Sequence, residues 1–118
     1  MPNSDYAGYI NVDEGLKRVA NNKKLFLMLL DKFVKDTRID ALETELKNGN
    51  SEAAAVVAHT IKGVAGNLSL SAIFTEVQQL EAQIKAGQDV SEGLAAFKVT
   101  VGKTLENIDL LKKEFTGA

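Results

Sequence analysis

Apolar residues recur along this chain at the spacing of amphipathic α-helices. Downstream of Lys23 they continue at helical spacing as far as Asn48-Gly49, at Leu25, Leu29, Phe33, Ile39, Leu42 and Leu46. This pattern predicts one long helix that stops at the Asn-Gly pair. Poor helix formers follow one another at Asp36-Thr37, so we expect a bend there.

Three further helices are predicted downstream. The second of them has its apolar residues on one face, at Ile73, Val77, Leu80 and Ile84. The last has a heptad-like spacing of core residues, at Leu94, Phe97, Val101, Thr104, Ile108, Leu111 and Phe115. The residues suited to begin or end these helices are, in chain order, Asn50 or Ser51, Gly66-Asn67, Ser69 or Ser71, Gly87 and Ser91-Glu92. The short connections favour antiparallel neighbours.

Upstream, a polar N-terminal arm of residues 1–12 precedes a short helical stretch from Asp13 to about Ala20. Asn21-Asn22 indicates a break and an N-cap. The sequence therefore predicts an all-α fold: an antiparallel, up-down-up-down four-helix bundle with a short additional N-terminal helix. With 118 residues and no linker rich in Pro, Gly or Ser, a single domain spanning 1–118 is expected.

Composition narrows the possible functions. The chain has no cysteine, which excludes disulfides and thiolate metal sites. Its net charge of −2 offers no global attraction for nucleic acid, so we expect protein partners. The start of the chain lacks the basic and apolar regions of a secretory signal, and no apolar run approaches the roughly 20 residues needed to span a bilayer. A cytoplasmic location, with no membrane partner, is expected.

The single histidine, His59, has unusual neighbours. At about 100° per residue, Lys62 and Gly63 fall on either side of His59 on one helix face, and Gly66 and Ala55 lie close to the same line. His59 should therefore stand on a strip of small side chains and point to solvent. The opposite face, which should pack inward, carries Val57, Ile61, Val64 and Leu68.

This arrangement suits a chemical step at the imidazole. Glycine inside a helix costs about 1 kcal/mol relative to alanine, and this helix accepts that cost twice beside its histidine. Small residues there indicate that a flat partner surface comes close. A neutral imidazole is a nucleophile, and a nearby ammonium can steady a phosphoryl oxygen as a point charge. The pattern is typical of transient phosphorylation of His59 by a docking protein.

These residues resemble the histidine-containing phosphotransfer (HPt) domains of two-component phosphorelays. The family pattern is an Ala-His pair, then Lys-Gly after two residues, then a Leu-Glu or Leu-Gln pair about one helix later; here these are Ala58-His59, Lys62-Gly63 and Leu80-Glu81. The resemblance extends upstream to residues 10–16 and 25–33. One departure is Ser69, where family members usually have a glycine in the turn after the histidine helix.

The resemblance implies a role for each residue. His59 would accept a phosphoryl group from a receiver-domain aspartyl phosphate and pass it to another receiver aspartate. Lys62 would contact the phosphoryl group, and Glu81 would accept a hydrogen bond from Nδ1 so that Nε2 is free to attack. Lys85 would reinforce a positive rim, while Ala55, Gly63 and Gly66 would serve partner docking.

The implied partners are receiver domains of a hybrid sensor histidine kinase and of a downstream regulator, and the protein is expected to act as a monomer. By the same resemblance it has no ATP site, metal or other cofactor of its own, and the Mg²⁺ belongs to the receiver. The sequence agrees, since it contains neither a P-loop nor a kinase glycine-rich loop. A phosphocarrier without kinase activity is therefore expected.

Two alternatives remain open from the residues alone. The chain could be a helical adaptor in which the His59 face is only a docking patch. It could also be the phosphotransfer portion of a histidine kinase, although a chain that begins at Met1 and contains no ATPase domain favours a stand-alone protein.

Gly63 and Gly66 could instead permit close helix packing, but the apolar face of their helix lies on the other side.

Overall fold

The computed structural model describes Tyr6 and residues 8–117, and within this part of the chain it contains six α-helices and no β-strand. They are α1 (Val12–Arg18), α2 (Lys23–Lys35), α3 (Ile39–Lys47), α4 (Ser51–Leu68), α5 (Ser71–Lys85) and α6 (Ser91–Thr116). The all-α prediction is confirmed. Among the helices described, none is both long and apolar enough to cross a membrane.

Local capping explains where the first two helices begin. The side-chain oxygen of Asn11 accepts from the backbone N–H of Glu14, and that of Asn22 accepts from the N–H of Leu25. Each bond satisfies one of the free N–H groups at a helix start. The predicted N-cap at Asn21-Asn22 is therefore confirmed at Asn22.

The predicted long helix from Lys23 to Asn48 is in fact two helices, α2 and α3. Arg38 adopts a left-handed backbone with φ of 64°, which a right-handed helix cannot contain, so the chain restarts at Ile39. Thr37 Oγ1 accepts a hydrogen bond from the N–H of Ile39 at this break. The position of the bend was predicted correctly, but its nature was not.

The turn between α4 and α5 also differs from the prediction. Helix α4 continues past Gly66-Asn67 to Leu68, and Ser69 is its C-cap with a left-handed φ of 57°. Of the two predicted starts of α5, Ser69 is therefore wrong and Ser71 is confirmed. Ser69 thus takes up the backbone conformation that glycine usually provides after a helix.

Helix α4 occupies the middle of the packing. It contacts α1, α2, α3 and most extensively α5, while α6 packs against α5 and α2. The core is formed by residues from all six helices and the segment before α1, with its largest fully buried side chains at Phe26, Phe97, Ile10, Leu30, Leu42, Leu70, Ile73, Ile108 and Leu111. This packing fixes α4 and α5 side by side.

The N-terminal segment closes one end of the helices. The N–H of Asn11 donates to the carbonyl of Ser69 at 2.8 Å, and the Ser69 hydroxyl donates to Glu14 Oε1 at 2.7 Å. Tyr6 is buried and its hydroxyl bonds Glu114 near the end of α6. Burial, together with this bond and the charge of Glu114, raises the pKa of Tyr6 to about 12.

Gly15 shows how closely α1 lies against α2. A Cβ at this position would come within 2.7 Å of the Phe26 ring and 3.3 Å of the Leu68 carbonyl oxygen. A side chain here would have to push the ring aside. The glycine is therefore a requirement of the packing.

Candidate functional site

Helix α4 buries one face and presents His59 on the other. Its buried residues are Ala54, Ala58, Ile61, Ala65 and Leu68. The His59 side chain is 69 % exposed, so it points to solvent as predicted. Val57 and Val64, expected to face inward, are only half-buried because the packed face is centred on the alanines instead.

Glu81 reaches the histidine from the neighbouring helix. It follows Leu80 at the edge of the buried stripe of α5, and its side chain is only 7 % exposed. Its Oε2 lies 3.2 Å from His59 Nδ1. The two helices thus bring together residues that are 22 positions apart in the chain.

This contact fixes which ring nitrogen carries the proton. An ionised carboxylate can only accept hydrogen bonds, so Nδ1–H is the donor to Glu81. The neutral ring then carries no proton on Nε2, whose lone pair is directed away from Glu81. The solvent-exposed nitrogen of His59 is therefore the nucleophilic one.

Two lysines complete a cluster around Glu81. Lys62 Nζ lies 3.1 Å from Oε1, and Lys85 Nζ lies 3.1 Å from Oε2. Lys62 comes from α4 and is 27 % exposed, while Lys85 comes from α5, one turn after Glu81, and is 64 % exposed. Both ammonium groups thus lie beside the carboxylate that holds the imidazole.

The electrostatics of the cluster keep Glu81 ionised. Burial acts to raise the pKa of Glu81, but the hydrogen bonds and charges of Lys85 and Lys62 outweigh it, so the pKa is lowered from 4.5. The cluster's contribution to stability is therefore present above pH 4.5 and is lost only as the pH falls through the lower folded value.

Open grooves flank the imidazole. One, of about 540 Å³, is lined in its apolar part by Ala55, Val56 and Ile84. The other, of about 300 Å³, is lined by Lys62, Gln78 and Ala82, and His59, Glu81 and Lys85 border both. A partner that reaches Nε2 would cover these surfaces.

The two glycines on the histidine helix differ. Nothing lies within 4 Å of a Cβ built on Gly63, so the surface beside His59 is open there. At Gly66 the same Cβ would come within 3.3 Å of the Phe74 ring on α5. The expectation of an open strip therefore holds for Gly63 but not for Gly66, which Phe74 covers. Ala55 is partly buried and lines the larger groove.

Sequence reasoning missed Val56. This valine precedes His59 by three residues, is 66 % exposed and lines the larger groove. The available signal was an apolar residue one helical turn from the histidine, on a face assigned to solvent. Gln78 and Ala82, which line the smaller groove, were missed as well. Their signal was helical spacing, since Gln78 precedes Glu81 by three residues and Ala82 precedes Lys85 by three.

No group of three or more His, Cys, Asp or Glu side chains in the described residues is placed to share a metal ion. The acidic and imidazole groups of the site are one carboxylate and one histidine, accompanied by two ammonium groups. The cluster therefore offers a nucleophile, its orienting base and two cations. Such a set suits the handling of an anionic group.

Comparison with known proteins agrees with this geometry. The model of the Hpt domain family matches residues 29–114, which include α3, α4 and α5 complete, the second half of α2 and all but the end of α6. No curated protein and no solved structure matches the chain. Members of this family carry phosphoryl groups on histidine in two-component phosphorelays and interact with receiver domains. Since the match spans most of its length, the chain belongs to the Hpt domain family.

Proposed function

We propose that this protein is a phosphorelay intermediate which accepts a phosphoryl group on His59 from one receiver domain and passes it to another. The observation that supports this most directly is the 3.2 Å contact between His59 Nδ1 and Glu81, which leaves Nε2 free and exposed. The family to which the chain belongs supports the same role.

In the forward step the Nε2 lone pair attacks the phosphorus of the receiver's aspartyl phosphate. The N–P bond forms while the P–O bond to the aspartyl group breaks, and its electron pair leaves on the carboxylate oxygen. The Nδ1 proton stays on the ring, whose new positive charge Glu81 stabilises. The reverse sequence transfers the group to a second aspartate.

The other groups have supporting roles in this proposal. Lys62 can turn from Glu81 Oε1 to a phosphoryl oxygen, since it is partly exposed and beside the ring. Ala55, Gly63 and Lys85 form the docking surface, with Val56 added from the groove; Gly66 contributes only through Phe74, which covers it. Mg²⁺ is supplied by the receiver, and the protein needs no cofactor of its own.

We also propose an antiparallel up-down-up-down arrangement in which α2 with α3 forms the first arm and α4, α5 and α6 form the others. Short connections support it: α4 and α5 are joined by Ser69 and Leu70 alone. The chain would act as a monomer in this form.

The transfer itself is the direct test. Incubation with a receiver domain charged by a small phosphodonor should place acid-labile, alkali-stable phosphate on His59. Incubation with ATP and Mg²⁺ alone should leave the protein unlabelled, because nothing in the sequence positions a nucleotide. Binding of the receiver without any labelling would support the adaptor alternative, and labelling by ATP alone would make the protein an enzyme.

A second prediction concerns the docking surface. Gly63→Arg should weaken receiver binding at least about tenfold, because a bulky side chain would enter a close interface. The free protein should tolerate it, since the space around Gly63 is open and arginine is a better helix former than glycine. Binding is measured by titration with the receiver.

Gly102→Arg is the matched control, because Gly102 is also an exposed helical glycine with nothing near its Cβ position, but on α6. It adds the same bulk and charge away from His59, and binding should not change. Equal effects of the two substitutions would contradict the proposed docking surface.

A further inference from the structure

Lys85 and His59 share one hydrogen-bond acceptor, Oε2 of Glu81. Both Lys85 Nζ and His59 Nδ1 lie within hydrogen-bond distance of Glu81 Oε2, at 3.1 and 3.2 Å, while Lys62 binds the other oxygen. A carboxylate oxygen has two lone pairs, so Oε2 can accept from both donors at once. Lys85 therefore need not compete with the imidazole for Glu81.

A buried carboxylate beside the acceptor nitrogen poses an electrostatic difficulty. Glu81 is 7 % exposed, and its charge repels the anionic phosphoryl group that must approach His59. Two ammonium groups at 3.1 Å offset this charge, one on each oxygen. They also fix the plane of the carboxylate, which directs Oε2 to Nδ1.

The two lysines differ in how they are placed to offset the charge of Glu81 and to orient its carboxylate. Lys85 follows Glu81 by four residues on the same helix, so this pair persists if α4 and α5 shift relative to each other. Lys62 crosses from α4 and lies on the oxygen that His59 does not use. Of the two cations, Lys85 is the one coupled to the hydrogen bond of the imidazole.

We propose that Lys85 is a positioning residue for phosphoryl transfer that acts through Glu81: it holds Oε2 against Nδ1 and offsets the carboxylate charge next to the incoming phosphoryl group. This inference rests on the proposed function of His59 and adds to it a dependence between two residues of α5. Lys85 then matters because position 81 is a glutamate, not because it touches the phosphoryl group.

A double-mutant cycle tests this dependence. Measured at a saturating concentration of receiver, where a change in docking affinity does not limit the rate, Lys85→Met should slow transfer about fivefold when position 81 is Glu, since contacting charged residues are energetically coupled. In the Glu81→Gln background the amide can still accept from Nδ1 but carries no charge to offset, so Lys85→Met should have almost no further effect. Equal slowing in both backgrounds would overturn the proposal, because Lys85 would then act on the receiver or on the phosphoryl group directly rather than through Glu81.

A spectroscopic measurement reports on the same link without any transfer. In ¹⁵N-labelled protein with the neutral ring, Lys85→Met should lower the fraction of His59 that carries its proton on Nδ1, and should not do so when residue 81 is Gln. An unchanged tautomer in both backgrounds would contradict positioning through Glu81. Lys103→Met, at an exposed lysine of α6, is the control and should alter neither rate nor tautomer.

Failure of the proposed function would look different. If the wild-type protein takes no phosphate from a phosphorylated receiver, the phosphotransfer role is wrong, whatever the result of the double-mutant cycle. If the protein is labelled but Lys85→Met has no effect on rate or tautomer, only the inference about Lys85 is wrong. The two results are thus read from separate measurements.

Discussion

His59→Gln should abolish phosphate acceptance while leaving the fold intact. The substitution removes the nucleophilic nitrogen, yet the glutamine amide can still donate to Glu81 Oε2. Because the side chain is 69 % exposed, the free energy of unfolding should change by less than about 0.5 kcal/mol. Labelling by a charged receiver and chemical denaturation are measured on the same preparation.

Gln79→Ala serves as the control for that experiment, since Gln79 is exposed on α5 and lines neither groove beside His59. The Gln79→Ala variant should be labelled to the same extent as the wild-type protein. Labelling retained in His59→Gln would mean that another residue accepts the group. A loss of more than about 2 kcal/mol in stability would contradict the solvent-facing position of the ring.

Removal of Glu81 should have the second largest effect. Glu81→Ala leaves Nδ1 without its acceptor, so the proton can move to Nε2 and block the attacking nitrogen. Loss of the outer partner that orients a metal-ligating histidine costs about 10- to 100-fold in affinity or activity, and by analogy we expect a slowing of transfer in that range. The free energy of unfolding should fall by about 1–2 kcal/mol, because both lysines lose their partner.

Glu81→Gln separates the hydrogen bond from the charge. The amide oxygen can accept from Nδ1, so the Nδ1–H tautomer should persist. The amide no longer stabilises the positive charge of the ring, but it also no longer repels the phosphoryl group, so transfer should stay within about threefold of the wild-type rate. Glu81→Ala should instead shift the ring towards the Nε2–H tautomer in ¹⁵N spectra. An unchanged rate in Glu81→Ala would show that His59 acts without an orienting partner.

Features set by a few neighbouring residues could be predicted from the sequence. Asn22 was recognised as an N-cap because capping requires only its own oxygen and an N–H three residues on. The outward position of His59 followed from the helical period of the apolar residues around it. In both cases the physical cause lies within one or two turns of helix.

Features that depend on the rest of the fold could not be predicted from the sequence. The left-handed backbone at Arg38 has no local signal, since arginine is an ordinary helix former. The position of Gly66 under Phe74 depends on how α5 lies across α4. Glu81 was assigned to His59 only through family resemblance, and its sharing between two lysines depends on side-chain conformations that spacing alone does not determine.

The close contact of α1 with α2 bears on where the folding unit begins. The family match starts at residue 29, yet Phe26 is completely buried and its ring fills the space left by Gly15. A fragment cut at the family boundary would lose that ring and the hydrogen bond from Asn11 to Ser69, next to the end of the histidine helix. We therefore expect the smallest fragment that folds on its own to include α1 and the residues that anchor it.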